Sequence, residues 1–337
     1  MIFLDVIWCG FRYGAGYTDY DVIGFYKLSH KQRVTMITRG KNDKIVKKLN
    51  KREYWHLFNN KSEFNEMFAK YIGREWILLN PNEDDLGKFR EFVSKFHLFF
   101  AKPNDGQCGK GIQKIDIVNI DKILKDNNIK IEQEATIGEY TKEMLINDSG
   151  KLYDKKIKAL YDYLIRNRLY LIEEPINQHE DMLRLNSSSV NTIRLVTVMN
   201  EKEEVTFMAS FVRIGNGVNV VDNFNSGGMT AKLDIDTGKI IEDAINKEGK
   251  IFSEHPLTKT KIEGFQIPCF EEAKQMVIEA CKLSKYVRYI GWDVAITKNG
   301  PILVEGNQFP GHDIYQVAEK IGKDDLGVWP KFKKALS

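Results

Sequence analysis

The feature that most restricts how this chain can fold is a pair of apolar segments near its C-terminus, GWDVAIT (291–297) and PILVEGN (301–307), joined by Lys298-Asn299-Gly300. An Asn-Gly step between alternating apolar runs predicts a tight antiparallel hairpin. Period-two alternation assigns Val294, Ile296, Ile302 and Val304 to a core face. On the opposite face it can set Asp293 beside Glu305, with Asn307 on the side of Glu305. Two carboxylates and an amide oxygen are hard donors, a set suited to Mg²⁺ that also binds substrate phosphates, and Glu305 could bridge two ions. A solvent-facing strand is the bland alternative. Against it, the acids stand opposite a core face and beside Trp292 and Gly306, which is unusual for plain surface.

Other segments read as strands by the same logic: HLFFA (97–101), IQKIDIVNI (112–120), LYLIEEP (169–175), TIRLVTVM (192–199), EVTFMASFVRI (204–214) and MTAKLDI (229–235). Helical spacing appears at Phe64, Met67, Phe68 and Tyr71, with Ser62 as N-cap, and at Phe89, Phe92, Val93 and Phe96. It recurs at Ile157, Leu160, Tyr161 and Leu164, at Phe270, Ala273, Val277 and Ala280, and at Ile314, Val317, Ala318 and Ile321. Mixed helices and hairpins predict α+β lobes rather than one parallel sheet. A length of 337 residues suits two or three lobes.

Composition excludes some classes. A formal net charge of +3 on so long a chain gives no argument for nucleic acid or an acidic membrane as partner, and leaves an anionic small substrate compatible. The four cysteines lack CxxC spacing, so neither a disulfide framework nor a zinc site is indicated, and free thiols point to a reducing compartment. MIFLDVIWCG is apolar but short and lacks a basic n-region, unlike a signal peptide, and no apolar run is long enough to span a bilayer. The cytoplasm is the expected location.

Three further places concentrate chemistry. In FFAKPNDGQCGKGI (99–112) a strand ends in Lys102, and Gly106, Gly109 and Gly111 follow. Glycines let backbone N–H groups approach phosphate oxygens, and a lysine supplies a point charge. The segment is not a Walker A loop, and an ordinary glycine-rich hairpin is the alternative. In LYLIEEPINQHE (169–180), Glu173 and Glu174 end an apolar strand, where charge needs a partner. Such a hinge can offer carbonyl and N–H groups to adenine, and Glu180 can accept from ribose hydroxyls; solvated glutamates are the alternative. Arg194 and Arg213 lie inside apolar strands, so each needs an anionic partner, either a structural carboxylate or a phosphate or substrate carboxylate. His97 and His255 read as structural or surface histidines, and Cys108 has no evident histidine partner for nucleophilic work.

Taken in order, Lys61 in FNNKSEF, Lys102 before its loop, the hinge Glu173-Glu174-Pro175-Ile176 with Glu180, and Asp293…Glu305-x-Asn307 resemble the ATP-grasp superfamily. The spacing of these hinge and acidic residues resembles the D-alanine–D-alanine ligase arrangement. The wording of EEPINQH, SSSVNTIRLVTV, VDNFNSGGMTAKLDIDTGKI and GWDVAITKNGPILVEGNQFPGHDIYQ is similar to the sugar-transfer-associated ATP-grasp group. The resemblance covers roughly 55–320 and is dense after 170.

That resemblance implies an α+β ATP-grasp fold whose two subdomains hold ATP: a short N-terminal region (1–60), a lobe with the phosphate loop (61–175) and a lobe with the metal site (176–337). Lys61 and Lys102 would meet the phosphates under the loop 104–111. Glu173, the main chain at Glu174 and Ile176, and Glu180 would hold adenosine. Asp293, Glu305 and Asn307 would carry two Mg²⁺, and Arg194 or Arg213 would steady the transferred phosphoryl group. The implied activity is ATP-dependent amide ligation through an acylphosphate, without a covalent enzyme intermediate, on small carboxylate and amine or sugar substrates. The group's name links it to polysaccharide-synthesis proteins. A kinase acting on a sugar hydroxyl, or a non-catalytic nucleotide-binding partner of a glycosyltransferase, are the alternatives. Residues 1–60 look too short for a separate substrate domain, so acceptor recognition would fall to loops 215–230 and 306–315 or to a partner.

Overall fold

The computed structural model describes residues 2–105, 111–129, 142–216, 227–312, 316 and 326–336, with backbone only at 142–151. Contacts group the chain into two units. The smaller comprises Asn60–Ser62 and Arg74–Ile176; the larger comprises Met1–Asn59, Glu63–Gly73 and Asn177–Ser337.

The smaller unit carries an antiparallel sheet of β1 (Trp76–Leu78), β2 (Leu98–Lys102), β3 (Gln113–Asp116) and β4 (Leu171–Glu173), in the order β1-β4-β2-β3. In LFFAK, Phe99 and Ala101 are fully buried and their neighbours half-buried, as a strand with one covered face requires. Helices Leu86–Lys95, Ile120–Asp126 and Lys142–Arg166 accompany it, and Phe89, Phe92, Phe99, Ile115, Ile157, Leu160, Leu164 and Ile172 form one core. The strand expected over 112–120 stops at Asp116. Its carboxylate accepts from the Val118 amide at 3.1 Å, turning the chain into a 3₁₀ segment, Ile117–Asn119, that leads into the helix Ile120–Asp126.

The larger unit holds β5 (Thr192–Met199), β6 (Val205–Ile214), β7 (Met229–Lys232), β8 (Ala244–Asn246), β9 (Ile251–Phe252), β10 (Tyr289–Thr297) and β11 (Gly300–Asn307). They form an antiparallel sheet in the order β11-β10-β5-β6-β7-β8-β9. β5 and β10 are buried at every residue, because helices cover both faces. On one face Trp292 donates to Thr197, which lies against Cys281 of the helix Phe270–Leu283. On the other, Val196, Val198 and Tyr289 pack with Ile45, Leu49 and Phe332 from the helices Arg39–Leu49 and Trp329–Leu336.

The N-terminal stretch is built into this unit. The Asn50 carboxamide donates to the carbonyls of Tyr289 (2.7 Å) and Gln308 (2.6 Å) and accepts from the amides of Arg288 and Tyr289. Ser62, expected as an N-cap, lies one residue inside the helix Lys61–Met67. The helix read at Ile314–Ile321 lies outside the described residues; the last described helix is Trp329–Leu336.

Candidate active site

The hairpin β10–β11 sets Asp293 opposite Glu305 and Gly291 opposite Asn307, so the three polar side chains share one face. The register slips between Asp293 and Val294, leaving Val304 as the extra residue of a bulge beside the carboxylates. The turn takes its positive φ at Gly300 (+109°).

Asp293 is 3% exposed and fully engaged. Arg194, directly across on β5, donates from Nε (2.5 Å) and Nη2 (2.9 Å) to its two oxygens; Arg213 on β6 donates from Nη1 (2.9 Å). The partner that both arginines required is thus a carboxylate of the acidic hairpin. Gly291 makes the room: a Cβ there would meet Arg194 Nη1 at 3.2 Å and Pro310 Cβ at 3.3 Å. Burial pushes the Asp293 carboxyl up, but the charges of Arg194 and Arg213 outweigh it and hold the group at about 2. Glu305 is raised, first by burial and then by the Asp293 carboxylate beside it. Its contact from Asn307 Nδ2 is long, 3.4 Å. A half-buried acid held above its usual range by desolvation and by a second acid beside it is a place where a cation's charge would be welcome, so Glu305 and Asn307, with Asp293 alongside, fit a divalent ion. Among the described residues, no group of three His, Cys, Asp or Glu side chains forms a metal cluster.

In the smaller unit, Lys102 at the end of β2 reaches Glu173 at the end of β4, Nζ to Oε2 at 2.6 Å. Arg74, which the sequence reading missed, donates to both Glu173 oxygens at 3.2 and 3.3 Å and is itself buried. The only hint of it was a cation preceding the apolar run WILL. Lys61 Nζ donates to the carbonyls of Pro103 (3.1 Å) and Asn104, beside the start of the glycine loop. The Asn104 carboxamide fixes that start by accepting from the Ser62 amide and donating to Asn60. Gly111 sits at φ +77°, where a Cβ would also press Pro103 at 3.1 Å. Gly106 and Gly109 lie outside the described residues.

Glu174 accepts from the Glu75 amide through its carboxylate, while its own amide donates to the Glu75 carbonyl. Ile176 is half-buried. Glu180 belongs to the larger unit, exposed in the first turn of the helix Glu180–Leu185. His255, read as structural, is buried with Nε2 against the Gly215 carbonyl at 2.9 Å.

The sequence model of the family described as sugar-transfer associated ATP-grasp matches residues 40–325. No curated protein matches. Similar solved structures include the D-alanine–D-alanine ligase of Coxiella burnetii (11% identity, 76% of this chain and 49% of that one, TM-score 0.38) and that of Bacillus anthracis (13%, 83% and 66%, 0.40). D-cycloserine synthetase DcsG is similar at 13% identity, 84% of this chain, 70% of its own and TM-score 0.41. The chain spans less than two thirds of either D-alanine–D-alanine ligase.

Proposed function

Because the chain belongs to the sugar-transfer associated ATP-grasp family, we propose that it is an ATP-dependent ligase joining a carboxylate to an amine or related nucleophile, in cell-surface polysaccharide or peptide-conjugate synthesis. A substrate carboxylate oxygen takes the γ-phosphoryl group and ADP leaves. The nucleophile then adds to the acyl carbon, loses its proton, and phosphate departs. The observation that carries this reading is the Asp293–Glu305–Asn307 face with its two arginines, in a chain of this family.

Phosphoryl transfer asks a protein for positioning and charge neutralisation more than for acid–base chemistry. Glu305 and Asn307 would hold Mg²⁺, two ions in all with Asp293, and the metal would neutralise the triphosphate when bound. Arg194 is committed to Asp293 through two nitrogens, so its role is to position that carboxylate. Arg213 spends one nitrogen on Asp293 and keeps donors for the transferred phosphoryl group. Lys61 and Lys102 meet the phosphates, with Gly106, Gly109 and Gly111 supplying backbone approach. Glu173 aims Lys102 through their 2.6 Å contact, and adenosine is held by the main chain at Glu174 and Ile176 and by Glu180.

The test is ADP and phosphate release with amino acids screened against uronic acids or sugar nucleotides, with mass spectrometry of products. Glu305→Gln and Asn307→Ala are expected to abolish release while unfolding at or above the wild-type temperature. Unchanged turnover in either variant removes the metal assignment. A phosphorylated hydroxyl with no free phosphate replaces the ligase by a kinase.

A further inference from the structure

The helix Ile2–Tyr13 is mounted with its polar side inward. Asp5, Cys9 and Tyr13 recur every four residues on the face toward the body. Arg33 donates to both Asp5 oxygens at 2.9 Å, Tyr20 adds its hydroxyl at 2.8 Å, and Tyr13 pairs with His30 at 2.7 Å. Beneath them Ile23, Phe25 and Met36 complete a small core. Phe3, Leu4, Ile7, Trp8 and Phe11 consequently form one stripe toward solvent, with Trp8 58% and Phe11 87% exposed. Rolling the helix to cover that stripe would break the Asp5–Arg33 pair. A contiguous aromatic and aliphatic face of this kind differs from singly scattered surface hydrophobics and marks an interaction site.

Charge indicates what covers it. Residues 1–52 contain eleven Lys or Arg against four Asp, in a chain whose total is only +3. Asp5 is tied to Arg33, Asp43 to Arg39, and Asp19 is buried against His312 and two backbone amides, which leaves Asp21 as the exposed acid. Arg12 on the helix, Lys27 in the adjoining turn Phe25–Lys27 and Lys31 beside His30 are exposed, without a carboxylate partner among the described residues. A second copy of the chain would bring the same positive charge against this face. An anionic bilayer supplies both apolar depth and opposite charge.

We propose that this face docks on an anionic lipid surface, the helix lying in the interfacial plane with Trp8 and Phe11 immersed and Arg12, Lys27 and Lys31 at the headgroups. Twelve residues of helix reach about 18 Å, too short for the roughly 30 Å hydrocarbon core. No helix among the described residues is long and apolar enough to cross a membrane. Docking through this helix is thus interfacial, and it would keep the protein at a surface where lipid-linked acceptors reside.

Co-sedimentation of the full chain with vesicles of phosphatidylcholine alone, and of phosphatidylcholine mixed with phosphatidylglycerol, tests this. Binding is expected to the anionic vesicles, and to fall at least tenfold when ionic strength rises from about 0.05 to about 0.5 M. Trp8→Glu/Phe11→Glu should abolish it with the unfolding midpoint unchanged. If that variant misfolds, Phe3→Ser/Phe11→Ser serves the same purpose. Equal recovery in the supernatant with both vesicles, or full binding by the folded variant, overturns the proposal. So does a self-associated state in sedimentation velocity that the same substitutions dissolve.

Discussion

Asp293 accepts three charged hydrogen bonds while almost wholly removed from water, so its loss leaves two guanidinium groups facing each other. Asp293→Asn is expected to cost about 3–5 kcal/mol in urea unfolding, the usual cost of breaking one side of a buried ion pair. Its pH signature has a definite sign. The folded group lies at about 2, below its ordinary 3.8, so its contribution is complete above 3.8 and fades as pH falls towards 2. Glu305 works the other way. Raised above 4.5 by burial and then by Asp293, it favours the proton in the folded state, so its penalty is absent below 4.5 and grows as pH rises through the raised value. Glu305→Gln should therefore stabilise the protein at neutral pH in EDTA while abolishing turnover, with the stability gain gone near pH 4. Equal stability at pH 7 would remove the like-charge account. The residue types of this face were legible in the sequence, but the turn alone does not align them: an unbroken register from Thr297 and Gly300 would set Asp293 opposite Val304, and the bulge is what brings it opposite Glu305. The pairing of Asp293 with Arg194 and Arg213 was not legible, since it depends on alignment across three strands. Arg74 was hidden for the same reason.

The hairpin is backed by the rings of Phe58, Phe64, Phe68 and Trp292, with Phe68 and Trp292 edge to face at 5.3 Å. Phe68→Ala should cost about 3–5 kcal/mol. Gly306, between Glu305 and Asn307 of β11, has the Phe58 and Phe64 rings 2.9 Å from where a Cβ would stand. Gly306→Ala is expected to push β11 off these rings and lower ADP release more than it lowers stability, which parallel turnover and urea measurements will separate. Long β-branched strands such as TIRLVTVM read correctly from sequence because both faces are buried and nothing local competes. The segment after Asp116 did not, because a single side-chain bond to Val118 redirected the backbone. The helix Ile2–Tyr13 was equally opaque: its apolar stripe faces outward, and its one carboxylate faces inward because Arg33, twenty-eight residues away, pairs with it.

At the scale of the whole molecule, Lys61 and Lys102, proposed to meet the phosphates, belong to one unit, and the acidic face with its arginines belongs to the other. The proposed function requires both sets to act on the same nucleotide. A ligand that binds the folded chain alone stabilises it by about 2.7 kcal/mol at a hundred times its Kd, so a non-hydrolysable ATP analogue with Mg²⁺ should raise the unfolding midpoint, and EDTA should cancel the gain. The most direct measurement is calorimetric affinity for that Mg²⁺-bound analogue in the wild type, Lys102→Met, Glu305→Gln and the double variant. Each single variant is predicted to bind at least tenfold more weakly, with the double variant departing from the product of the two losses because one triphosphate links them. Wild-type affinity in either single variant, while the other is impaired, would contradict a shared nucleotide.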